Sequence, residues 1–108
     1  MAFNRKMWQL QYNKQNRLRK SANKKEATQQ ALDEVRRIKE ATPCKDCGRI
    51  YPHYIMDFDH RDPSTKVAGI SRLVQRSWKQ VSEEIAKCDV LCSNCHRTRT
   101  YKRVRGIL

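Results

Sequence analysis

An α+β fold, with a small stapled domain behind a basic helical arm, is what this sequence predicts, and three observations predict it. Residues 1–40 contain no Gly, Pro or Cys. From Ala41 onward, short apolar runs alternate with turn residues and with one amphipathic stretch. Four of the five cysteines fall into two C-x-x-C pairs, Cys44/Cys47 and Cys92/Cys95. The predicted division is an arm over 1–40 and a domain over 41–108.

The staple is needed because Ile, Leu, Val and Phe are sparse in a chain of 108 residues, too few for burial alone to hold a domain of this size. Lys and Arg number 24 against 11 Asp and Glu, a net charge of +13. That excess points to a polyanionic partner rather than an ordinary metabolite. No run of 18 apolar residues is present and the N-terminus lacks the apolar centre of a secretory signal, so no membrane partner is expected. An odd number of cysteines, four of them paired by spacing, suits thiolate metal ligation in a reducing cytoplasm better than a disulfide framework.

Within the arm, 11 basic residues face 4 acidic ones, a net +7. Its composition reads as helix, in one long or two shorter pieces. Leu32, Val35 and Ile38 mark a narrow apolar stripe, while Met7, Trp8, Leu10 and Tyr12 keep no clean helical period. The arm is expected to lie on DNA or on the domain, with a solvated tail as the alternative. Thr42-Pro43 ends any preceding helix, and Cys44–Gly48 has the glycine-ended turn of a metal knuckle. A short strand is predicted over 54–58, closed by a loop through Asp59, His60, Arg61, Asp62 and Pro63. Ser77 and Gln80 form a capping box before Trp78, Val81 and Ile85, which share one helical face. A second strand over 89–91 leads to a basic helix over 93–103.

Two C-x-x-C pairs with 44 residues between Cys47 and Cys92 can close a tetrahedral four-sulfur site, the usual geometry of structural zinc. The leftover Cys88 reads as a small buried residue. Asp59-His60 and His96 are the second constellation. Phosphodiester hydrolysis needs an activated water, charge stabilisation and help for the leaving oxygen, and one cation with one base can supply these. Asp59 offers a hard oxygen and His96 a nitrogen to such a cation, and His60 offers an imidazole, the side-chain type suited to take a proton near working pH. His53 sits in a polar turn with no acidic neighbour in sequence and takes no role.

Taken together, Cys44-x-x-Cys47, Asp57-Phe58-Asp59-His60-Arg61-Asp62-Pro63 and the run from Cys88 to Arg97 resemble the HNH endonucleases, the ββα-metal nucleases, particularly their small four-cysteine bacterial and phage members. The resemblance covers roughly residues 42–104. It implies a two-stranded ribbon and a helix around one catalytic cation (Mg²⁺, Mn²⁺ or Ni²⁺) held by Asp59 and His96. His60 would be the general base, and Cys44, Cys47, Cys92 and Cys95 would bind a separate structural zinc. DNA is the implied partner, with phosphate contacts expected from Arg61, Lys66, Arg97, Arg99, Lys102 and Arg103, in the cytoplasm of a bacterial or phage-infected cell. A larger phage or host nucleic-acid machine is a further expected partner. The alternatives are a non-cutting zinc module that binds nucleic acid and a phage assembly or packaging accessory. One departure stands out: the family's middle Asn, nine residues before the final His, is Lys87 here. Asp89 or Asn94 is the expected substitute. Thr100 occupies the place of a second metal-binding His, so water or DNA phosphate would complete the shell.

Overall fold

In a computed structural model the chain is described over residues 4–107; residues 1–3 of the arm and residue 108 of the domain lie outside them. The described residues form four helices and a two-stranded antiparallel sheet, an α+β architecture. Helix α1 runs unbroken over Arg5–Ala41. It contains neither Gly nor Pro and is rich in good helix formers. Asn4 caps its start by accepting the Met7 N–H at 3.1 Å. Pro43 stops it, since a residue preceding proline is pushed out of the helical region, and Thr42 is extended, at φ −108° and ψ 119°.

Strand β1 (Met56–His60) pairs with β2 (Cys88–Cys92) in a five-pair register from Met56↔Cys92 to His60↔Cys88. The first strand is thus displaced from the predicted 54–58. Pro52 starts a 3₁₀ turn over His53–Ile55, which delays the strand by two residues, and β2 extends one residue beyond the predicted 89–91 at each end. Asp59 and His60 consequently stand inside the ladder rather than in the loop after it. That loop holds a second 3₁₀ turn over Pro63–Thr65, capped by Asp62, whose carboxylate accepts the Ser64 N–H.

Helix α2 (Ile70–Leu73), which the sequence reading did not foresee, brings Leu73 into the core. Helix α3 (Trp78–Ile85) starts where the capping signal places it, with Ser77 Oγ accepting the Gln80 N–H. Its expected face is only partly realised: Val81 is fully buried, whereas Trp78 is 41% exposed. Helix α4 (Ser93–Val104) follows β2 without a break.

The apolar interior is split in two. Val35 of α1 packs with Leu73, Val74 and Val81, joined by Phe58 of the ribbon. Cys44, Met56, Leu91 and Cys92 form the second cluster, in which half the buried residues are cysteines. The last third of α1 therefore belongs to the body: Ala31, Leu32 and Val35 all pack on the first cluster. Before Thr28 the helix is exposed on every side except at Asn16, and it extends a molecule measuring 78 × 27 × 18 Å.

Candidate active site and metal centre

The cysteine knuckle is built by two tight local structures. Cys44 N–H donates to the Arg49 carbonyl and Gly48 N–H returns to the Cys44 carbonyl, both at 2.8 Å. Gly48 closes this turn at φ +75°, a region that side chains with a Cβ seldom adopt. Across the ribbon, Cys92 caps α4, its sulfur accepting the Cys95 N–H at 3.5 Å. The sulfurs of Cys44, Cys47, Cys92 and Cys95 all lie within 4.8 Å of one another. A tetrahedron with Zn–S bonds of about 2.3 Å has edges of about 3.8 Å, and the Cys47–Cys92 sulfurs are 4.0 Å apart. These four residues could hold a metal such as zinc.

The electrostatics agree. Burial pushes the Cys44 thiol up, but N–H groups of Cys47, Cys92 and Asp46 more than offset it and bring it to about 6. Burial and the neighbouring sulfurs push Cys95 to about 12. Sulfurs this close cannot all ionise unless a cation neutralises them. Cys88 lies apart from the knuckle, buried, its thiol donating to the Glu84 carbonyl at 3.3 Å.

The two faces of the ribbon carry different chemistry, because alternate residues of a strand point to opposite sides. Asp57, Asp59 and Asp89 meet α4. His96, Arg99 and Arg103, at helical spacings of three and four, form the stripe that faces them. His96 Nδ1 lies 3.1 Å from Asp57 Oδ2, which turns its Nε2 toward Asp59 Oδ1 at 3.5 Å. Asp59 is 4% exposed. Arg103 grips both its oxygens at 2.8 Å, and Arg99 reaches Oδ2 at 3.3 Å. The Arg103 hydrogen bond is the chief reason the Asp59 carboxyl is held below its ordinary range. Arg99 also forks onto Asp46, between the first two cysteines, and bonds Asp89 at 2.9 Å.

His60 occupies the other face. Its Nε2 donates to Glu84 Oε1 at 2.8 Å, and its side chain is only 10% exposed. Glu84, 2% exposed, also accepts the Val67 N–H at 3.0 Å and pairs with Lys87 at 3.1 Å. Burial would raise the Glu84 carboxyl, but these three partners outweigh it and keep the group ionised. A carboxylate on Nε2 fixes the imidazole proton there and leaves Nδ1 as the basic nitrogen.

This network also answers what braces the loop after His60. Lys87 donates to the Thr65 carbonyl at 2.9 Å and so ties the loop itself, with Glu84 holding Val67. Of the expected substitutes, Asp89 is engaged elsewhere and Asn94 is exposed on α4. Asp89 pairs with Arg61 and Arg99, and the Asn94 carbonyl accepts the Thr98 hydroxyl. Thr100 is exposed and bonds the His96 carbonyl. His53 does have an acidic neighbour in space, Glu40 of α1 at 3.4 Å.

Of the six expected phosphate contacts, Arg61, Lys66, Arg97 and Lys102 are exposed. Arg61 is anchored by the carbonyls of Cys88 and Ala86 and by Asp89, and Arg99 and Arg103 are drawn into the carboxylate cluster. Sequence reasoning missed Asp57 and Glu84. The signals were present: Asp57 precedes Asp59 by one strand period, and Glu84 follows Val81 by one helical turn on the apolar face.

Glu84→Gln is expected to cost about 1–3 kcal/mol of stability, because Lys87 loses its charged partner and one acceptor becomes a donor. Denaturant unfolding would show it, and an unchanged midpoint would leave the Glu84 network without structural weight. Compared with family models, with curated proteins and with solved structures, the chain matches none.

Proposed function

We propose that this protein is a metal-dependent DNA endonuclease of the HNH type, with zinc in the four-cysteine knuckle. The observation that carries the reading is the joint between ribbon and α4. Asp59 and His96 stand 3.5 Å apart there, with Asp57 orienting the imidazole as a carboxylate commonly orients a metal-bound histidine. Two ligands at about 2.1 Å from one cation are separated by about 3 Å at a right angle and more at wider angles, so this oxygen and nitrogen suit a shared divalent ion once Arg103, which holds the same oxygen at 2.8 Å, gives it up. Such an ion polarises a phosphodiester and stabilises the charge that develops on it.

The chain's own groups supply the rest. His60 is the candidate base: it ends β1 on the face opposite Asp59 and His96, and its Nδ1 would take the proton from the attacking water around that end of the ribbon. Glu84 holds the Nε2 proton and favours the imidazolium that forms, while Lys87 and Val67 keep the following loop in place. Exposed Lys66, Arg97 and Lys102 meet phosphates, and the net charge of +13 draws the polyanion in.

The guanidinium grip on Asp59 favours a second reading, a zinc module that binds nucleic acid without cutting it, in which Asp59 is a structural ion-pair partner. Supercoiled plasmid incubated with the zinc-loaded protein and Mg²⁺, Mn²⁺ or Ni²⁺ separates the two. Nicked or linear product that requires the added ion supports the nuclease, and gel-shifted but intact plasmid under all three ions supports the binding module.

A further inference from the structure

The charge of α1 is distributed in a way its length alone does not explain. Residues 28–40 carry three basic and three acidic side chains, whereas residues 4–27 carry eight basic and one acidic. The whole net +7 thus sits on the part of the helix before Thr28, whose residues are exposed except at Asn16, with Lys24 and Lys25 bordering Gln75 of the body. Viewed down the axis, with 100° per residue, Arg17 lies in line with the buried Val35, and Lys24 and Lys6 lie within about 20° of it. Lys14 and Lys20 flank this row at about 60° on either side. All five are exposed. The row that seats α1 on the body therefore continues outward as a cationic row on the same side. Arg5, Arg19 and Lys25 point elsewhere.

We infer that this row is a second DNA-binding surface, which docks on the duplex beyond the segment held by the body. Three features select that occupant. The row carries three cations with the exposed Leu10 among them, also within about 20° of the line, and no acidic residue lies along it. The free part of α1 spans about 35 Å at 1.5 Å per residue, close to one turn of duplex, about 34–36 Å. A second copy of the same helix would bring +7 against +7 and be repelled. The inference rests on the proposed function only in taking the polyanion to be DNA, and it does not require cutting.

The test uses the full-length zinc-loaded protein and DNA duplexes of about 10 and 30 base pairs, with no Mg²⁺, Mn²⁺ or Ni²⁺ added, read by fluorescence anisotropy at several salt concentrations. Two charge-matched variants are compared, K6Q/R17Q/K24Q on the row and R5Q/R19Q/K25Q off it. Circular dichroism checks that both keep the helix. On the longer duplex the row variant is expected to lose about tenfold or more in affinity and two to three in the slope of log K against log salt, at about 0.9 per phosphate contact. The off-row variant is expected to lose less than about threefold. On the 10-base-pair duplex the two should match the wild type.

Equal losses in both variants would overturn the inference, since they would mean undirected charge. So would no loss in either, a loss independent of duplex length, or self-association through the arm in sedimentation. The plasmid assay fails separately: intact plasmid with a row-specific affinity loss refutes the nuclease and leaves this surface standing.

Discussion

His60→Ala is expected to cut supercoiled plasmid about 10²–10⁴-fold more slowly than wild type, the span that a positioned general base contributes, with DNA affinity nearly intact. The substitution removes one partner of Glu84, which keeps the Val67 N–H and Lys87, so the loop stays braced. His96→Ala is the cleaner probe of the cation. Asp59→Ala would also strand Arg103 and Arg99, which hold that carboxylate. Partial rescue of His96→Ala by raised metal concentration is expected, and none for His60→Ala. Equal rates for wild type and His60→Ala would remove the base from the mechanism.

The second large effect concerns the knuckle. The purified protein is expected to hold about one zinc per chain, and stripping it, or replacing Cys44 with Ala, should unfold the ribbon and α4, because binding free energy at such sites is folding free energy. Cys44 and Cys92 are half of one of the two apolar clusters, so the metal and that cluster are lost together. Cys88→Ala serves as the control, since Cys88 lies outside the four-sulfur group. A well-folded protein that metal analysis shows to be free of zinc would end this account.

What could be read in advance was what depends on local chemistry. The C-x-x-C pairs, the Ser77 cap, the Thr42-Pro43 stop and the basic helix after Cys92 each follow from a few adjacent residues. The strand boundary was less legible, since pairing runs to His60 only because β2 supplies a partner at Cys88. Helix α2 is four residues long, too short for a periodic signal. The division at residue 41 marks a true helix end but not the edge of the body, because Val35 belongs to the core. Asp57 and Glu84 lay on faces the pattern identified, yet their roles come from His96 and His60, which only the fold brings beside them.

The unsupported length of α1 also governs how the protein moves through solution. A compact chain of about this size has a radius of gyration of about 13 Å, whereas this one has 20.8 Å. A monomer will diffuse as slowly as a considerably heavier globular protein, and gel filtration against globular standards will place it near the position of a dimer. Sedimentation velocity is expected to return the monomer's mass, 12.8 kDa, with a raised frictional ratio. Deleting residues 1–27, which spares Val35, should restore the elution of a compact sphere.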